Sequence, residues 1–350
     1  MSDIDIRKSG RAGRITLTRP KALNALSYEM CLDIERALDA WRADNEVALV
    51  ILDAEGDRAF CAGGDIAEMY RTGTQGDYAY GRRFWADEYR MNAKIEAYPK
   101  PVVSLMYGFV MGGGVGIGCH GSHRIVGETS RIAMPECGIG LVPDVGGSYL
   151  LARAPGFVGT YLGTTGARMD AADALRVGFA DFFVPQEAWP GLIAALEEHG
   201  DAQVIPAAAR ATGPGALAEI ASEIDAHFDA TDLAAILESL QTSESEFAKK
   251  AATALRAASP LSVACTIEIL RRLRADGPSM AAALDLEYRF TARAMEHGDF
   301  LEGIRAAIID KDRAPHWRHE TADVPTDDVR RMLEPLEDGA LDLAGRAGTA

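Results

Sequence analysis

The sequence predicts an α/β protein, a layered core of strands and helices followed by a helical C-terminal region. Three observations carry this. Short apolar runs of strand length at residues 47–52 and 102–107 alternate with amphipathic helical stretches, the pattern of an α/β layer architecture. The second run opens directly into a glycine-dense stretch, residues 108–149, which demands sharp turns or a close backbone approach. After Pro185 the composition becomes alanine-rich with helical periodicity.

Each element follows from local pattern. Residues 4–8 and 14–18 alternate apolar and polar around Gly10 and Gly13, a β-hairpin with one buried face that Pro20 ends. Asn24 or Ser27 caps a helix in which Met30, Ile34, Ala37, Leu38 and Trp41 recur at helical spacing. Residues 59–66, AFCAGGDI, form a glycine turn that enters a helix at Asp65. Residues 78–98 read as a long amphipathic helix with Trp85, Tyr89 and Ile95 in the core. Glu88 lies in it, where a glutamate is ordinarily a solvated charge. Pro99 and Pro101 break that helix before the strand at 102–107. A short strand at 131–134 is stopped by Pro135, so that Glu136 begins a loop. Helical patterns through Arg153 and Tyr161 and over 171–177 precede a last strand at 179–184.

Residues 200–215 mark the expected boundary, giving an α/β core over 1–199 and a helical region over 200–320. Residues 233–257, 261–274 (Ser259 as cap, Pro260 in the first turn) and 280–295 read as helices. Residues 302–309 close the ordered part. The segment 321–350 is acidic, then Ala/Gly-rich, and is expected to fray.

Composition narrows the function classes. At 350 residues the chain can bury a full core without staples, and its net charge of −16 opposes non-specific attraction to nucleic acid or anionic membranes. The five cysteines (Cys31, Cys61, Cys119, Cys137, Cys265) contain no C-x-x-C pair, which favours a reducing compartment over a disulfide framework or zinc knuckle. The first 20 residues lack the apolar core of a signal peptide, so a soluble, cytoplasmic protein is expected.

The glycine-dense stretch concentrates the chemistry. It carries Glu136 and, eight positions later, Asp144. Backbone N–H groups brought close by glycines can converge on a polarised carbonyl oxygen, and a second glycine turn at 62–64 supplies a donor from a different loop. Gly116, Gly118 and Gly121 satisfy G-x-G-x-x-G, but within a longer glycine run rather than at a strand-to-helix turn, so a dinucleotide site is disfavoured. His120 and His123 lack partners completing a zinc set. Gly147 and Ser148 do not make a nucleophile elbow, because Leu150 stands where the second glycine is needed.

Over roughly its whole length the sequence resembles the crotonase (enoyl-CoA hydratase/isomerase) superfamily, and within it a thioester-hydrolase subgroup. The marks are PKALNALS, AFCAGGDI, MGGGVGIGCHGSHR, AMPECGIGLVPDVGGSYLLAR, EYRF and HGDFLEGIRAAIIDKDRAPHW. The resemblance implies a crotonase-like spiral of ββα units, a helical C-terminal region that closes the CoA site, and oxyanion-hole N–H groups from Ala62 and Gly113. Hydratases of the superfamily use two glutamates. One is replaced here by Gly116, the other matches Glu136, and Asp144 stands where hydratases carry glycine. Hydrolysis of a short branched 3-hydroxyacyl-CoA, foremost 3-hydroxyisobutyryl-CoA in valine breakdown, is therefore implied, with an enoyl-CoA hydratase or isomerase, or a non-catalytic CoA-binding protein, as alternatives. Glu136 would be nucleophile or general base, Asp144 would hold the substrate hydroxyl or relay protons, and Glu88 would contact substrate. Lys21, Ala22 and Lys311 match CoA-contacting segments. No cofactor is implied beyond the CoA of the substrate, and assembly into a trimer or hexamer is possible by resemblance.

Overall fold

Nine strands of a computed structural model that describes residues 3–320 and 324–344 form two sheets, and the order in which the chain fills them sets up the glycine turns. β1 (Ile4–Ser9) and β2 (Ala12–Leu17) make the expected hairpin, Ile4 opposite Leu17. β3 (Leu49–Ala54), β5 (Val102–Met106), β7 (His123–Val126) and β9 (Phe182–Phe183) extend it in parallel, in the order β1-β2-β3-β5-β7-β9. β4 (Ala59–Cys61), β6 (Phe109–Met111) and β8 (Arg131–Ala133) form a second parallel sheet, β4-β6-β8. From β3 onward successive strands alternate between the sheets, so each strand pair contributes one strand to each. This is the spiral of repeated units expected of the fold.

The central strands are buried on both faces, which explains their unbroken apolar runs: Leu49, Val50, Ile51 and Leu52 all have at most 1% exposure. Leu49, Ile51, Val103, Leu105 and Ile125 pack with Trp189, Leu192 and Leu196 of the helix Trp189–His199. The helix Tyr28–Arg42 starts at Ser27, whose side chain accepts the Met30 N–H. Asn24 instead spends its amide on the carbonyls of Glu55 and Ala59.

The chain divides into two compact units that do not follow a break near residue 200. One comprises Met1–Asp65, Met91–Ala133 and Arg168–Ala218, the other Ile66–Arg90, Met134–Ala167 and Glu219–Ala350. The expected division into 1–199 and 200–320 is thus corrected: two internal segments of the first 199 residues pack with the C-terminal helices. In the second unit the helix Pro260–Asp276, capped by Ser259 as expected, packs on the helices Gly147–Arg153 and Val158–Thr165.

Local competition accounts for other differences. Asp65 does not cap a helix; its carboxylate pairs with Arg19 at 3.1 Å, and the helix Ala67–Gly73 begins two residues later. Residues 233–257 form two helices, Leu233–Gln241 and Glu246–Ala257, because Ser245 turns its side chain to accept the Ala248 N–H and starts a new first turn. The strand expected at 179–184 keeps only the two residues of β9. The tail carries more order than its composition implied: Thr326–Leu333 is a helix whose Met332 and Leu333 are buried, and Arg272, Arg289 and Arg293 donate to its C-terminal carbonyls. Residues 321–323 and 345–350 of that expectation lie outside the described residues.

Candidate functional site

The first unit supplies backbone donors. β4 and β6 are parallel neighbours, and each ends in a glycine turn, Ala62-Gly63-Gly64 and Gly112-Gly113-Gly114. The turns touch: a Cβ on Gly114 would stand 2.1 Å from the Cys61 carbonyl oxygen, so only glycine permits this approach. Gly112, at φ 47° and ψ −120°, turns the chain so that Gly113 becomes the first residue of the helix Gly113–Gly118. Its N–H is then a helix-end donor with no intrahelical acceptor, and it makes no hydrogen bond among the described residues.

The matching expectation for Ala62 is corrected. Its N–H donates to the Leu23 carbonyl at 3.1 Å and is not available. The Leu26–Gly64 bridge uses the Gly63 carbonyl and the Asp65 N–H, so the N–H groups of Gly63 and Gly64 are left without a partner among the described residues. The N–H groups this turn leaves free are therefore one and two residues beyond Ala62. Gly116 is buried within the short helix. Lys21 and Ala22 lie exposed on the 3-10 turn Pro20–Ala22.

The second unit holds the acids. Pro135 delivers Glu136 into a 3-10 turn, Glu136–Ile139, instead of a loop, and Gly140 at φ 76° reverses the chain toward Asp144. Glu136 is 5% exposed, and its Oε2 has no hydrogen-bond partner among the described residues. Asp144 is equally buried and accepts a hydrogen bond from the Tyr89 hydroxyl at 2.8 Å. Glu88, one residue before Tyr89 on the helix Ala79–Glu96, is 4% exposed with Oε1 unpartnered, which overturns the solvated-charge expectation for it. Lys311 is exposed, with φ 59°, just after the π-helical turn Arg305–Ile309.

These carboxyls act on one another. Burial, then the charge of Asp144, pushes both Glu88 and Glu136 well above the usual carboxylate range. Asp144 itself is pushed up to about 7 by burial, against the opposing pull of the Tyr89 hydroxyl. No Lys or Arg makes an ion pair with any of the three among the described residues. A carboxyl that changes protonation near neutrality, beside one with an uncommitted oxygen, is an arrangement suited to general acid–base or nucleophilic work on an ester-like carbonyl.

A fourth acid was not singled out from the sequence. Glu287 is fully buried on the helix Met280–His297, and its carboxylate accepts from the N–H of Gly146 (2.8 Å), the N–H of Ser148 (3.0 Å) and the Ser148 hydroxyl. Burial raises it to about 8, the three donors notwithstanding. The signal was present: Glu287 sits in the apolar stripe Met280, Ala283, Leu284, Phe290, Ala294, and Glu88 likewise falls between Phe84, Trp85 and Ile95. An acid on the apolar stripe of a helix must be buried. The turn that Glu287 holds contains Val145 at φ 54°, a left-handed conformation that costs a β-branched residue roughly 1–3 kcal/mol.

One short segment with two buried acids, a two-sheet spiral and paired glycine turns define a class, and comparison with known proteins gives the same one. The model of the enoyl-CoA hydratase/isomerase family matches residues 12–333, and the chain belongs to that family. It is 40% identical over 336 residues to the mitochondrial 3-hydroxyisobutyryl-CoA hydrolase of Xenopus tropicalis, covering 92% of this chain and 86% of the relative. To the human protein of that name it is 34% identical over 357 residues, covering 97% and 90%. Among solved structures it is similar to an enoyl-CoA hydratase from Rhodobacter sphaeroides, at 56% identity and a TM-score of 0.93 over 97% of this chain and 100% of that one. A carnitinyl-CoA dehydratase from Mycobacterium thermoresistibile is 40% identical, also with a TM-score of 0.93, over 99% and 100%.

Proposed function

We infer that this protein hydrolyses a short-chain 3-hydroxyacyl-CoA thioester, converting 3-hydroxyisobutyryl-CoA to 3-hydroxyisobutyrate and CoA. The observation that carries the reading is the pair Glu136 and Asp144, buried together on one short loop, in a chain with Gly116 at the position where hydratases of the resemblance place their other acid. The names of the curated relatives support it. The names of the solved structures favour a second reading, hydration of an enoyl-CoA, on the same fold.

In the hydrolase reading the thioester oxygen is held by the Gly113 N–H and by a donor of the Gly63–Gly64 turn, each worth about 3 kcal/mol to the transition state. Glu136 attacks the carbonyl to give an anhydride that water then hydrolyses, or activates the water that attacks directly, and Asp144 holds the 3-hydroxyl or carries a proton to the departing thiolate sulfur. Glu88 binds the acyl part, and Lys21, Ala22 and Lys311 contact CoA, the lysines through its phosphates. Assembly into a trimer or hexamer belongs to the same reading and is measured by light scattering.

The test is thiol release. Free CoA is expected from 3-hydroxyisobutyryl-CoA, and Glu136→Gln is expected to abolish release while leaving CoA binding largely intact. Hydration of crotonyl-CoA at a comparable rate without thioester cleavage would establish the hydratase reading instead.

A further inference from the structure

Asp144 does not stand alone on its loop: one helix grips the turn that follows it and also meets the tyrosine that holds its side chain. The turn after it places Val145 at φ 54° and Gly146 at φ 79°, two successive left-handed residues, and the Gly147 N–H closes it on the Asp144 carbonyl at 2.7 Å. On one side the turn is pressed against Met134, since a Cβ on Gly147 would stand 2.3 Å from its Cε. On the other, Glu287 grips it with both carboxylate oxygens, Oε2 on the Gly146 N–H and Oε1 on the N–H and hydroxyl of Ser148. One helical turn past Glu287, Thr291 lies 3.4 Å from the Tyr89 hydroxyl, which donates to Asp144 Oδ2.

We propose that Glu287 is a positioning residue for Asp144, holding the left-handed Val145–Gly146 turn and thereby fixing where the Asp144 carboxyl points. The proposal rests on the hydrolase reading for its kinetic consequence but not for its structural one. A carboxyl oxygen is required on each side because the Gly146 and Ser148 N–H groups, one at each oxygen, can only donate. A glutamine would present its NH2 to an N–H, leaving at least one of Gly146 and Ser148 unsatisfied in a buried place.

The test compares the wild-type protein with Glu287→Gln and Ser148→Ala by three readouts: kcat and KM for CoA release from 3-hydroxyisobutyryl-CoA, the pH–rate profile, and the titration of Asp144 followed by NMR of 13C-labelled aspartate carboxyls, assigned by the signal lost in Asp144→Asn. The titratable groups around Asp144 are Glu88 and Tyr89 on the helix Ala79–Glu96, Glu136 on the 3-10 turn, and Glu287 on the helix Met280–His297. Glu287→Gln is expected to lower kcat about 10- to 100-fold with KM changed less than about threefold, and to displace both the Asp144 titration and the corresponding limb of the rate profile. Ser148→Ala, which keeps the Glu287 carboxyl and two of the three bonds, is expected to act in the same direction more weakly, and it carries the test if Glu287→Gln fails to fold. An Asp144 titration unchanged in a folded variant overturns the proposal, as does unchanged kcat. If the wild type releases no CoA, the hydrolase reading fails, and the NMR titration alone decides the role of Glu287.

Discussion

At the scale of single residues the site works through what burial does to carboxyls. Tyr89 is fully buried, and its hydroxyl is the side-chain hydrogen bond that holds Asp144 down toward its ionised form. Tyr89→Phe removes a donor to the charged state, so the Asp144 titration should move above about 7, and the limb of the rate profile it controls should move to higher pH. A limb displaced to lower pH would contradict this assignment. Asp144→Asn keeps the shape and deletes the group that titrates near neutrality. It should reduce kcat by roughly 10²–10⁴ with little change in KM, read in the same thiol-release assay.

At the scale of elements, the two glycine turns are registered by the parallel pairing of β4 with β6. Gly114→Ala drives a methyl into the Cys61 carbonyl, which belongs to backbone and cannot step aside. A loss of about 1–3 kcal/mol in urea denaturation is expected, together with a fall in activity, because the Gly113 N–H moves with it. The helix Thr326–Leu333 makes the opposite point about an element that composition undervalued. Its charged sequence reads as solvated, but Leu333 is fully buried and Leu333→Ala should cost about 2–5 kcal/mol. A free tail would tolerate the substitution without measurable change in the melting temperature.

At the scale of the whole molecule, the buried acids tie stability to pH. Asp144 is raised from 3.8 to about 7, Glu287 from 4.5 to about 8, and Glu88 and Glu136 in the same direction. Each binds its proton more tightly folded than unfolded, so its contribution is fully present below about pH 4 and is lost as pH rises through the folded values. The ion-paired acids run the other way: Glu268 and Glu302, held low by arginines, withdraw their contribution only toward strongly acid pH. Between about pH 5 and 8.5 the buried cluster therefore governs, and the melting temperature should fall across that window. Glu136→Gln should fall less and melt higher than wild type at pH 8, a gain in stability at the expense of activity. Calorimetry at three pH values checks it, and a wild-type melting temperature that rises from pH 5 to 8 would contradict it.

The sequence by itself determined the kinds of element and the chemistry on offer. Hairpin, buried strands, Ser27 and Ser259 caps and the acids Glu136 and Asp144 were legible because they depend on near neighbours: alternation, helical spacing, a cap three residues from the N–H it accepts. Tertiary structure decided which groups meet and which are already spoken for. The Ala62 N–H was lost to a carbonyl 39 positions earlier in the chain, at Leu23. Glu88 became a buried acid only when its helix face was covered, and Glu287 reached Gly146 across 141 positions. A hydrogen bond donor or a charge is visible in a sequence, but its partner and its distance from water are properties of the packed chain, and at this site those two quantities set every protonation state.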